Sequence, residues 1–211
     1  MDKKISRAKC VKYLGILIDE NLKWSEHINE VYIKLRKYIG IFYKIRNKLP
    51  RRVLRNLYFA TVYPQLQYGV ELYANTCYSY LKDLIVLSNW LLRILQFKPR
   101  ICEVADLYVN FDTLKIPELF EYKILQIVHK FFNHNDSLPP SFENYFTLTS
   151  TIHEHCTRGN SNVYVDRSRV DYGARCLKAL AGKYWNSLPK DIKIVISYNA
   201  FKVKLKSPLQ L

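Results

Sequence analysis

From Ser25 onward, apolar residues recur mostly at steps of three and four: Ile28, Val31, Leu35, Tyr38, Ile39, Phe42, Ile45 and Leu49. That spacing returns side chains to one face of a helix, so it predicts a long amphipathic helix over 25–49 with Ser25 as its N-cap. Pro50 stops it, because proline lacks the N–H and clashes with the preceding turn, yet it suits the first position of a following helix. RRVLRNLYFATVY, residues 51–63, reads as that helix, kinked or ended by Pro64. A third helix is predicted over 79–97, before Lys98-Pro99. A fourth runs from Pro117 to Phe132 and ends in the polar turn Asn133-His134-Asn135-Asp136.

The ends of the chain follow other patterns. Val11, Tyr13, Leu14, Ile16, Leu17 and Ile18, notched by Gly15 and closed by Asp19-Glu20-Asn21, predict a short strand or hairpin. Residues 137–146 form a proline-containing connector, and 147–162, rich in Thr, Ser, His and Asn, has no periodicity and reads as a loop. NVYVDRSRV alternates and is β-branched, predicting a minor β element near residues 162–171. Helical patterns return over 172–189 and in the basic segment 197–207. The expectation is a mainly α, bundle-like fold, divided as 1–24 (junction strand or hairpin), 25–135 (helical region), 136–162 (connector) and 163–211 (C-terminal region).

Charge changes this picture more than composition does. The 211 residues hold 33 Lys and Arg against 18 Asp and Glu, a formal charge of +15, which calls for an anionic partner because such an excess repels itself. Nucleic acid comes first and an acidic membrane surface second. The greasiest window, 84–95, is interrupted by Ser88, Asn89 and Arg93, so no membrane span is expected. Five scattered cysteines without a C-x-x-C pair, and an N-terminus without a signal-peptide core, fit an intracellular protein of nucleus or cytoplasm.

The cations are not evenly spread. At about 100° per residue, Lys34, Lys37, Lys44 and Lys48 fall within an arc of roughly 80°, well away from the apolar stripe. Arg51, Arg52 and Arg55 follow on the next helix. Together they make a basic edge of the kind that tracks phosphates, with a merely solvated face as the alternative. Candidate chemistry is sparse. Phosphate-cradling glycine loops and H-E-x-x-H are absent, and Asp19-Glu20, the one adjacent acidic pair, reads as a turn and cap. His153-Glu154-His155-Cys156 resembles a metal cluster but lacks a second ligand group, so no metal site is expected. Trp24, Trp90 and Trp185 are expected in the core, although the 17 tyrosines are compatible with stacking on nucleic acid.

Lys12-Tyr13-Leu14-Gly15-Ile16-Leu17-Ile18-Asp19, continued by Leu22, Trp24, His27 and Ile28, resembles the segment just after the catalytic palm of non-LTR retrotransposon (LINE, jockey-like) reverse transcriptases. Leu49-Pro50 with Leu54, Leu57 and Tyr58, then Tyr63-Pro64-Gln65-Leu66-Gln67-Tyr68-Gly69, is similar to the next stretch of that family. Leu92-Arg93-Ile94 and Trp185-Asn186-Ser187-Leu188-Pro189, followed by Phe201-Lys202 and Leu205-Lys206, resemble its later signatures. The sequence departs at Leu87-Ser88-Asn89, where the family has Leu-Gln, and at Tyr73, where it has Trp.

The resemblance implies a thumb and downstream region of an RNA-directed DNA polymerase. Such enzymes hold two metal ions on a palm with an F/Y-x-D-D turn, and no Asp-Asp dipeptide occurs here. The expectation is therefore a fragment without catalytic residues of its own, Mg2+ being needed only in a parent protein with a palm. Its partners would be an RNA–DNA or DNA duplex, held by Lys34, Lys37, Lys44, Lys48, Arg51, Arg52 and Arg55, and a palm supplied upstream to pair with the strand at 11–18. Gly15 would stand at a primer-grip-like position, or simply at a turn. The alternatives are a domesticated helical protein-interaction module and an unrelated basic domain.

Overall fold

Two short strands, β1 (Cys10–Tyr13) and β2 (Ile16–Asp19), pair antiparallel with Tyr13 opposite Ile16, so the connection is the two residues Leu14-Gly15. Both have positive φ, 46° and 83°, which a two-residue turn matching the right-handed strand twist demands. Glycine takes that conformation freely and leucine with strain. The computed structural model describes residues 7–152 and 162–210. Within them, the segment expected as a strand or hairpin is a two-stranded hairpin whose strands pair with each other.

The hairpin is seated on its own unit. Ile16 is buried and approaches Gly69 so closely that a Cβ there would meet Ile16 Cδ1 at 2.7 Å, and the Tyr68 hydroxyl donates to the Leu14 carbonyl oxygen. Asp19 closes the strand as the acidic pair suggested. Its carboxylate accepts the backbone N–H groups of Asn21 (3.0 Å), Lys23 (3.1 Å) and Trp24 (2.7 Å). Slight burial works against ionisation, but these donors win and hold its pKa below the ordinary value. Glu20 pairs with Arg7 at 3.1 Å. Asp19 thus serves the turn, and Glu20 an exposed ion pair with a residue that precedes β1.

The chain divides into two compact units, Met1–Ile116 and Pro117–Leu211. In the first, α1 (Ser25–Ile45) packs along α5 (Tyr78–Gln96), burying Val31, Leu35 and Phe42. Trp24, not Ser25, occupies the N-cap position, in left-handed conformation with φ 64°, and its N–H donates to Asp19 at 2.7 Å. The helix ends at Ile45 rather than near Leu49, and 46–48 form a turn. α2 (Arg51–Thr61) follows, with Pro50 at its N-cap instead of its first helical position. Pro64 falls in the first turn of α3 (Tyr63–Gln67), and α4 (Val70–Tyr73) leads to α5. α6 (Val104–Phe111), which the sequence pattern did not reveal, packs on α5.

The second unit is built on α7 (Ile116–Asn133), with α8 (Thr149–Ile152), α9 (Asp171–Ala174), α10 (Leu177–Ser187), α11 (Lys190–Lys193) and α12 (Tyr198–Leu209). Its core is aromatic. His129 of α7 stacks on Phe201 of α12 with centroids 4.0 Å apart, and Trp185 of α10 lies 5.4 Å from Phe132 and 6.2 Å from Phe201. The β element expected near 162–171 is a single bridge, Leu148 to Val163. Its alternating valines face α10 instead: a Cβ on Gly182 would meet Val165 at 2.5 Å and Val163 at 3.3 Å. The Asn186 side chain donates to the Val163 carbonyl and accepts its N–H, both at 2.8 Å. His153-Glu154-His155-Cys156 lies outside the described residues. No described helix is long and apolar enough to cross a membrane.

Acid should loosen this second core. His129 is fully buried, its Nε2–H donates to the Val195 carbonyl at 2.6 Å, and its Nδ1 is buried without a partner. Burial lowers its pKa below the ordinary 6.5, outweighing the carbonyl bond that raises it, with His134 adding to the lowering. The unfolded chain then takes up the proton first. The stabilisation is complete above about 6.5 and declines as pH falls through that value toward the folded pKa. His27 in the first unit shifts the same way, chiefly by burial. The melting midpoint should drop between pH 7.5 and pH 5.5; a flat or rising midpoint would refute this assignment.

Candidate nucleic-acid interface

Lys34, Lys37 and Lys44 project from the exposed side of α1, away from Val31, Leu35 and Phe42. Lys48 sits in the turn after α1, where its N–H bonds the Ile45 carbonyl, so it continues the basic edge from a loop. Arg51 and Arg52 open α2 and are exposed; Arg55, one turn on, is half-buried. All seven belong to the first unit.

They are not equally available. Lys34 Nζ lies 2.8 Å from Glu30 Oε1, and Lys12 reaches the same oxygen at 3.0 Å. The hydrogen bond from Lys34, then that from Lys12, bring the Glu30 pKa down to about 2, so this clamp persists throughout neutral pH. Arg55 is held on three sides: its Nε donates to the Phe111 carbonyl at 3.0 Å, its guanidinium lies 5.0 Å from the Phe59 ring centroid, and Asp112 is 3.7 Å away. Lys37, Lys44, Lys48, Arg51 and Arg52 make no ion pair among the described residues. Releasing a clamped lysine tests the distinction. Glu30→Gln should raise duplex affinity about two- to threefold by freeing Lys34 and removing a nearby negative charge; a fall in affinity would show that Glu30 positions the face.

Gly15 occupies the second position of the hairpin turn, and its φ of 83° gives a local reason for glycine there. A Cβ at this site would make only ordinary contact, 3.7 Å from Tyr68 Cε1. Trp24 and Trp185 are buried as expected, but Trp90 is 43% exposed on α5. A helical wheel could have shown it: at about 100° per residue, Trp90 lies roughly a right angle away from the stripe through Leu84, Leu87, Leu91 and Leu95. Arg46 could not be found that way. Its guanidinium lies 4.8 Å from the Tyr43 centroid and 5.4 Å from that of Phe97, joining residues far apart in sequence.

No family model and no solved structure matches the chain. Curated proteins do. It is 28% identical over 140 residues to the RNA-directed DNA polymerase from mobile element jockey of Drosophila melanogaster, covering 65% of this chain and 15% of that protein. The jockey polymerase of Drosophila funebris is 28% identical over 133 residues, covering 62% of this chain and 14% of that protein. A probable RNA-directed DNA polymerase from transposon X-element of Drosophila melanogaster is 26% identical over 94 residues, 43% of this chain and 10% of that protein. The chain is thus related to a region of mobile-element RNA-directed DNA polymerases, and the matches span no more than 15% of their length.

Proposed function

We propose that this chain corresponds to the region after the palm, thumb included, of a retroelement RNA-directed DNA polymerase, and that its first unit holds template-primer duplex by the phosphates. One observation carries the reading: Lys37, Lys44, Lys48, Arg51 and Arg52 are exposed and free of ion pairs among the described residues, along α1, the following turn and the start of α2. Such a row suits a polyanion, since phosphate contacts position a strand without reading bases. The work done is positioning. The Asp19 carboxylate is taken up by the turn after β2 and that of Glu20 pairs with Arg7, so the catalytic carboxylates and their Mg2+ would come from a palm.

A second reading has its own observation. Ile33, Ile41, Val86 and Trp90 are exposed on α1 and α5, the pattern of a protein-interaction module that has no nucleic-acid role. Fluorescence anisotropy with RNA–DNA and DNA duplexes separates the two. The nucleic-acid reading expects binding to duplexes of unrelated sequence with affinities within about threefold of each other. Absence of binding favours the interaction module. With template-primer, magnesium and nucleotides the chain should extend nothing; extension abolished by changing Asp19 and Glu20 would overturn the division between holding and chemistry.

A further inference from the structure

A cleft of about 420 Å³ opens beside the start of α2, the end of α5 and the end of α6. Arg51, Arg52, Arg55 and Lys98 line it, with the amide side chains of Gln96 and Asn110, and no carboxylate is among its lining residues. Asp112, paired with Arg55 at 3.7 Å, is the nearby acid that partly offsets this charge. Lys98, Gln96 and Asn110 played no part in the basic edge read from sequence.

We propose that this cleft is a phosphate-binding site that seats one phosphate of a nucleic-acid strand. Four cationic side chains in one concavity repel one another, and a concave wall of low dielectric concentrates their field, so the arrangement is relieved by an anion. Guanidinium groups present paired N–H donors that match phosphate oxygens, which favours phosphate over a simple halide. The site is also partly preorganised. Arg55 is fixed by the Phe111 carbonyl and the Phe59 ring, and buried Gln96 is anchored through its Nε2 to the Leu107 carbonyl at 2.7 Å. The lysines of α1 lie on an open, convex helix surface where any phosphate can slide past. The cleft converges on one group, and convergence is what fixes the register of a strand. The source of the phosphate rests on the reading of the first unit as a nucleic-acid holder; the site itself does not.

Lys98→Glu and Asn110→Asp each place a carboxylate in the cleft at an exposed position, and Lys82→Glu makes the same charge change as Lys98→Glu on α5, outside the cleft. Duplex affinity is measured by anisotropy and pyrophosphate binding by isothermal titration, with the fold followed by circular dichroism. The cleft variants should weaken duplex binding about tenfold, and Lys82→Glu less than about threefold. Loss of pyrophosphate binding in the cleft variants, with duplex binding absent or unchanged, keeps a phosphate site but assigns it to free phosphate, against the strand. If Lys98→Glu and Asn110→Asp match Lys82→Glu in both assays, the cleft is no phosphate site, even where charge reversal on α1 still abolishes duplex binding.

Discussion

Replacing Lys37, Lys44 and Arg52 together by Glu should abolish most duplex binding and leave the fold intact. The three are exposed and unpaired among the described residues, so no core contact or ion pair is lost. Glu at the second position of α2 would even complement the positive end of that helix, whose first turn holds no acid. The expected loss is at least about a hundredfold in low salt, because three of five phosphate contacts disappear and three repulsions replace them. Circular dichroism and the melting midpoint should be unchanged. A loss of less than threefold would place the nucleic acid elsewhere.

The second large effect concerns stability. Phe201→Ala should destabilise the second unit by about 3–5 kcal/mol, since Phe201 is fully buried, stacks on His129 and lies beside Trp185. That is a large share of the roughly 5–15 kcal/mol that stabilises a typical domain. Hydrogen exchange should show lost protection in α10 and α12. A cost below about 1 kcal/mol would mean that the His129–Phe201–Trp185 cluster is not what holds these helices together.

Much of the fold was legible because α1, α2, α5 and α7 follow helical periodicity with proline punctuation. The failures have physical causes. Leu49 continues the three-and-four spacing, yet it is exposed beyond the end of α1, so periodicity outran the helix and carried Lys48 with it. Ser25 is a favoured cap residue, but the helix starts one residue earlier in the cap sense: Trp24 holds the N-cap position in left-handed conformation, with no side chain capping the first turn. α6 is only eight residues long and ends at Asp112 in left-handed conformation, too short for a periodic signal. Val163 and Val165 alternate because both pack on Gly182; the only strand pairing there among the described residues is the single bridge from Val163 to Leu148. At the candidate interface the sign and clustering of charge were visible. The Glu30–Lys34 clamp was legible as an i, i+4 pair, whereas Arg55 meets Phe111 and Asp112 across more than fifty residues, which only the fold reveals.

The salt dependence of duplex binding tests the central claim most directly. Of the seven candidate cations, Lys34 and Arg55 are engaged within the chain, leaving Lys37, Lys44, Lys48, Arg51 and Arg52 for phosphates. Five phosphates, one for each of these cations, give a slope of about −4.5 for log affinity against log salt, or roughly a 500-fold loss between 50 mM and 200 mM; four, with Arg51 and Arg52 sharing the phosphate of the cleft, give about −3.6, or roughly a 150-fold loss. A slope between about −3.5 and −5, the same for RNA–DNA and DNA duplexes of unrelated sequence, is the predicted result. Binding that is absent or insensitive to salt would contradict it.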